Sequence, residues 1–138
     1  MSYWLLKTEP DDWSWDQQVK AGKKGEAWTG VRNAQARNFM REMKKDDLAF
    51  FYHTGDEKRI VGVVKVAKEA YQDPTTDDER WLVVDVVAIE PVPTPVTLAD
   101  IKSEPKLAEM KLVKNARLSV QPVTAAEWKL VSKMVGLK

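Results

Sequence analysis

The chain has no cysteine and only one histidine, His53. Without thiols there are no disulfides and no thiolate ligands, so an intracellular, cytoplasmic location is the default expectation. A single imidazole cannot assemble a transition-metal centre of His and Cys ligands, and no EF-hand spacing offers carboxylates to a hard cation. No metal and no cofactor is expected. Nucleotide phosphates lack their usual cradle. There is no G-x-x-x-x-G-K followed by Ser or Thr, and no strand–G-x-G-x-x-G–helix unit. No apolar run approaches the ~20 residues of a membrane helix. The opening "MSYWLLKTEPDDW" has neither a basic leading region nor a cleavage site, so no secretory signal is read in it. Excess charge is scarce as well. A formal net charge of +1 excludes strong indiscriminate attraction to nucleic acid.

What is present is unevenly distributed. Acids cluster at Asp73, Asp77, Asp78 and Glu79. Bases gather at Arg32, Arg37, Arg41, Lys44 and Lys45, and again at Lys102, Lys106, Lys111, Lys114 and Arg117. A nearly neutral protein can thus carry one locally positive face, although any single lysine is more simply a solvated side chain. The six tryptophans are many for 138 residues, and most are accounted for as core anchors.

The length is that of one compact domain, taken here as residues 1–138. Tyr3 to Lys7 is a strand-type run ended by Glu9-Pro10. Ser14 and Gln17 have capping-box spacing ahead of a short helix over Trp15 to Ala21, and "AGKKGEA" reads as a loop. From Asn33 to Lys44, Ala36, Phe39, Met40 and Met43 form one apolar helical stripe. Asn33, Arg37, Arg41 and Lys44 share an adjacent face. "DDLAFFYHT", "IVGVVKVAKEAY" and "RWLVVDVVAIEPV" read as strands, with a bulge or bend expected at Gly62. The prolines of "EPVPTP" are expected to end the third of these as an extended connector. "VTLADIKS" and "PKLAEMK" are short helical pieces, and "RLSVQPV" returns to strand. Thr124 and Glu127 cap a final helix. The order β-α-α-β-β-β-α-β-α, with strands apolar on both faces, predicts a mixed α+β domain. It is expected to be a small β-barrel surrounded by short helices.

Two readings of the chemistry compete with a bland one. His53 in "FYHT" is a candidate general base, but no G-x-S-x-G elbow accompanies it and no acidic partner is evident. A binding reading asks less. Capture of an extruded base needs an aromatic face, fixed polar groups for the base edge and positive charge for flanking phosphates. Trp28 supplies a ring, and Thr29-Gly30 a turn where backbone approaches closely. Asn33 is a two-sided edge reader, with Arg32, Arg37 and Arg41 beside it. On spacing alone, Trp28 as a core plug and Asn33 as a helix N-cap fit equally well. Thr8 and Glu9 either add polar groups or simply end a strand. A third reading makes the fold a scaffold for a protein partner or small ligand.

The same stretches resemble a known family. "YWLLKTEP", "WTGVRNAQARNFMR", "DLAFFYHT", "IVGVVKVAKEAYQD" and "LVKNARLSVQPVTAAEW" are similar, in order along the chain, to EVE domains of the PUA-like superfamily. The resemblance implies a PUA-like barrel related to YTH domains, which hold a methylated adenine in an aromatic cage. It implies a pocket lined by Lys7, Thr8, Glu9, Trp28, Thr29, Gly30 and Val31. Arg32, Asn33 and Gln35 would border it, Tyr52 and His53 would close it, and Arg117 and Ser119 would lie close by. It implies a non-catalytic reader of a modified base, cytosine derivatives or methylated adenine among them, in DNA or RNA. Arg32, Arg37, Arg41 and Lys44 are the residues expected on the nucleic-acid backbone. Two departures stand out: Ala34 occupies a position where similar proteins often carry Tyr, and Thr8 and Thr54 replace Ser.

Overall fold

A computed structural model describes residues 1–137. Six strands form a single sheet in the order β2-β5-β4-β3-β1-β6. They are β1 (Tyr3–Thr8), β2 (Glu26–Ala27), β3 (Leu48–His53), β4 (Arg59–Gln72), β5 (Leu82–Thr97) and β6 (Val120–Val123). The sheet is mixed: β1 runs parallel to β3 and antiparallel to β6, and the other pairs are antiparallel.

The expected closed barrel is not what this pairing gives. The ladder is linear, with β2 and β6 at its two edges among the described residues. Strands apolar on both faces suit a sheet covered on both sides as well as they suit a barrel, and the covering is visible in the two cores. On one face Trp4, Leu6, Phe51, Val64 and Val84 pack with Trp15, Ala36, Met40 and Met43. On the other, Leu5, Phe50, Val63 and Val92 pack with Ile101, Leu112, Val131 and Val135. The alternation along β1 and β3 sends successive side chains to opposite cores.

The helices are α1 (Trp15–Ala21), α2 (Ala34–Glu42), α3 (Leu98–Lys102), α4 (Lys111–Lys114) and α5 (Ala125–Met134). Caps fix their starts. Ser14 with Gln17 and Thr124 with Glu127 both close the capping boxes expected from sequence, and Thr97 with Asp100 adds a third. The stretch "PKLAEMK", expected as a short helical piece, holds only a 3-10 turn, Pro105–Leu107, and α4 begins at its last residue, Lys111.

Two strand expectations change. The loop "AGKKGEA" contains β2, which pairs Glu26 with Val86 and Ala27 with Asp85. The prolines do not end β5, which runs on to Thr97. Its register with β4 jumps from Gly62–Pro91 to Ile60–Val96, so the intervening residues bulge out of the ladder. A proline in a bulge removes no ladder hydrogen bond, which is why the strand tolerates Pro93 and Pro95. The bend expected at Gly62 is this irregularity. A side chain there would collide with the indole of Trp15, so α1 lies directly on the sheet only because residue 62 has no Cβ.

Candidate nucleic-acid interface

β1 and β3 run parallel and end side by side, with Thr8 opposite His53. Past the end of β1 the chain turns over α1, and the Thr8 hydroxyl donates to the carbonyl of Trp13 at 2.9 Å, which holds that turn against the strand. β2 brings the Glu26–Arg32 segment to the same end of the sheet, where the Trp28 amide donates to the Val84 carbonyl at 2.8 Å. The third wall comes from before β6: the Lys7 amide donates to the Ser119 carbonyl at 2.9 Å, and Lys7 Nζ to the Ala116 carbonyl at 2.8 Å.

Between these segments lies a cavity of about 570 Å3. Of the residues expected at a site, Lys7, Thr8, Glu9, Trp28, Thr29, Gly30, Val31, Arg32 and Ser119 line it. Asp12, Trp13, Glu26 and Ala27 also line it and were missed. The signal for Trp13 was available as a second tryptophan close to Thr8. The signal for Glu26 was not, because a two-residue strand has no periodicity.

Trp28 is 7% exposed. One side packs edge-on against Phe51, with ring centroids 5.6 Å apart. It is neither a free platform nor a sealed plug, because its uncovered part forms cavity wall. Gly30 has φ of +79°, the left-handed region where a side chain is strained, and its amide donates to Asp73 Oδ2 at 3.2 Å. The Asp73 carboxylate is fully covered. It accepts in addition from Arg32 Nη1 at 3.0 Å and from the Thr75 amide and hydroxyl at 2.8 and 2.6 Å. Burial alone would raise its pKa, but the hydrogen bonds from Thr75, Arg32 and Gly30 outweigh it and hold the carboxyl at about 2. Asp73, in an acidic cluster that sequence treats as surface, therefore braces the cavity wall from behind.

The remaining expected residues are elsewhere. Asn33 is exposed and caps α2, its Oδ1 accepting from the Ala36 amide at 2.9 Å. Gln35 is exposed, and its Oε1 accepts from Asn115 Nδ2 at 3.5 Å. Ala34, the first residue of α2, is exposed and outside the cavity lining. Arg117 is exposed and also outside it. Tyr52 does not close the pocket: the alternation of β3 turns it into the opposite core, and burial pushes its phenol up to about 12. It lies beneath Lys7, whose Nζ is 5.8 Å from the ring centroid and whose pKa burial lowers.

His53 is buried and does not reach the cavity lining. Its Nε2 accepts from the Trp15 amide at 3.0 Å, and its Nδ1 is 2.9 Å from Glu57 Oε1. An Nε2 that accepts from an N–H carries no proton, so Nδ1 carries it and donates to Glu57. That bond, with help from Arg59, keeps the Glu57 carboxyl below the usual range. Both ring nitrogens are thus committed, and no lone pair is left for a substrate proton.

Arg32, Arg37, Arg41 and Lys44 spread along the loop after Trp28 and the α2 surface. Arg41 and Lys44 are exposed, whereas Arg37 is half-buried. Among the described residues no group of His and carboxylate side chains is placed to hold a metal, and no helix is long and apolar enough to cross a membrane.

Comparison with known proteins adds context to this geometry. Mouse thymocyte nuclear protein 1 is 36% identical over 94% of this chain and 72% of its own length. An Agrobacterium tumefaciens protein of known crystal structure is 49% identical, with a TM-score of 0.97 over 99% of this chain and 94% of that one. Human THYN1, crystallised in complex with DNA containing 5-methylcytosine, is 33% identical with a TM-score of 0.92, covering 100% of this chain and 99% of its own. A YTH domain from Zygosaccharomyces rouxii, in complex with N6-methyladenosine RNA, is 16% identical with a TM-score of 0.59 over 99% of this chain and 88% of that one, a likeness of fold alone. A family model described as the EVE domain matches residues 2–134, and with it the chain belongs to the EVE domain family.

Proposed function

We propose that residues 1–138 act as one non-catalytic domain that captures a modified nucleobase, a modified cytosine or a methylated adenine, from DNA or RNA. The observation that carries this reading is the cavity of about 570 Å3 with two tryptophans, Trp13 and Trp28, in its lining. That size is ordinary for a small-ligand site. It lies in a fold whose human member was crystallised with 5-methylcytosine DNA.

The lining suits an amino-bearing base. Glu9, Asp12 and Glu26 are carboxylates that accept hydrogen bonds, whereas the Lys7 ammonium and the Thr29 hydroxyl donate. The indoles supply apolar contact for ring and methyl group. Arg41 on α2 and Lys44 just past its end meet flanking phosphates, while Arg32 is neutralised by Asp73 and mainly shapes the rim. A nucleic-acid ligand accords with an intracellular location, and the curated relatives carry a nuclear name.

The test is a set of oligonucleotides differing in one base, unmodified against modified cytosine or adenine, titrated at fixed salt. One modified base should bind more tightly than its unmodified counterpart, and the preference should disappear in Trp28→Ala. Equal binding across the whole set would refute the reading.

A further inference from the structure

The hairpin loop between β4 and β5, residues 73–81, carries Trp81 beside Arg32, a residue of the cavity lining. Three guanidinium groups surround that ring. The Cζ atoms of Arg32, Arg37 and Arg80 lie 5.7, 5.7 and 5.6 Å from the Trp81 ring centroid. They come from three separate segments, namely the wall after Trp28, helix α2 and the hairpin itself. The Asp73 amide donates to the Trp81 carbonyl at 2.9 Å, and the Asp73 side chain holds Gly30 and Arg32, so the hairpin and the cavity wall are joined at one residue.

The three cations are not equivalent. Arg32 is paired with Asp73 at 3.0 Å and Arg80 with Asp78 at 2.7 Å. Arg37 has no carboxylate within ion-pair distance among the described residues. It donates from Nε and Nη2 only to the neutral Asn38 amide oxygen, at 3.2 and 3.0 Å. A guanidinium held near an indole and bonded only to a neutral amide keeps its positive charge uncompensated and so attracts an anion. The exposed acids Asp77 and Glu79 on the same loop disfavour a diffuse anionic surface binding there, so the charge available is local to Arg37.

We propose that Arg37 receives the phosphate next to the base held in the cavity, and that Trp81 positions the Arg37 guanidinium for it. This rests on the reading of the cavity as a base pocket. It adds a second subsite, for the nucleotide backbone, built from a residue outside the cavity lining.

The experiment compares a modified nucleoside with a single-stranded oligonucleotide carrying the same base, using 5-methyl-2′-deoxycytidine and N6-methyl-2′-deoxyadenosine as probes. Arg37→Ala should lower oligonucleotide affinity roughly five- to tenfold and reduce its dependence on log salt by about one unit. It should leave nucleoside affinity unchanged. Trp81→Ala should weaken the oligonucleotide alone, Trp81→Phe should restore most of the loss, and Trp81→Ala should add nothing in an Arg37→Ala background. If Arg37→Ala binds the oligonucleotide with wild-type affinity and salt slope, the phosphate subsite is wrong while the base pocket stands. If Trp81→Ala weakens Arg37→Ala further, the positioning role is wrong. If wild type binds neither probe nor either oligonucleotide, the pocket reading fails and takes the subsite with it.

Discussion

Single residues decide whether the cavity works and whether the surrounding fold survives. Truncating Trp28 removes part of a wall that already packs on Phe51, so Trp28→Ala should weaken binding of a modified oligonucleotide tenfold or more, a loss of ~1–3 kcal/mol for one base contact. Tryptophan fluorescence quenching on titration would measure it, with circular dichroism confirming the fold. His53 makes the contrasting case. His53→Ala strands the Trp15 amide and loosens Glu57, so it should cost about 1–3 kcal/mol of stability by denaturant unfolding and alter no chemical turnover. A residue of this kind looks catalytic in a sequence because its type is reactive. Only the positions of Trp15 and Glu57, one on α1 and one past the end of β3, show that its nitrogens are spoken for. Asn33 teaches the same lesson in reverse, since its two sequence readings were evenly matched and the structure shows its oxygen on the Ala36 amide.

At the level of elements, the caps and periodic stripes were readable and the covalently remote partnerships were not. α1 and α5 start where Ser14 and Thr124 say they should, because a capping box is a local interaction spanning four residues. β2 was invisible, because two residues carry no pattern and the pairing with Val86 and Asp85 is what makes it a strand. The route of β5 through Pro93 and Pro95 was misread for a related reason: only the bulge against β4 makes proline harmless there. Asn33→Ala should cost α2 about 1 kcal/mol, measured by chemical denaturation. The β4–β5 hairpin makes a pH-dependent prediction. Asp73 titrates at about 2 in the fold against an ordinary 3.8, so its ionised form stabilises the native state fully above pH ~4. That contribution is lost as pH falls from about 4 through about 2. Asp73→Asn should therefore lower the Tm at neutral pH, and the gap from wild type should narrow in acid.

Across the whole molecule, the sequence conveyed the class of fold but not its closure. Strands apolar on both faces are common to barrels and to sheets covered on both sides, and only the linear order β2-β5-β4-β3-β1-β6 separates the two. A net charge of +1 likewise says little about where an anion would settle. Arg41 lies on exposed α2 surface away from the cavity lining. Arg41→Ala should reduce the salt slope of oligonucleotide binding by about one unit and weaken modified and unmodified sequences alike, as a purely electrostatic contact does. Binding isotherms at four salt concentrations would show it. A change confined to the modified sequence would instead place Arg41 in base discrimination.

Lys7 reaches across to Ser119 and Ala116, so the first strand finishes its half of the cavity with groups made more than a hundred positions later. During folding, this wall of the cavity cannot close until two segments that are distant along the chain have met, so its shape depends on long-range pairing and not on either segment alone. A product cut between α2 and β6 accordingly loses the carbonyls that anchor Lys7 and, with them, one wall of the cavity.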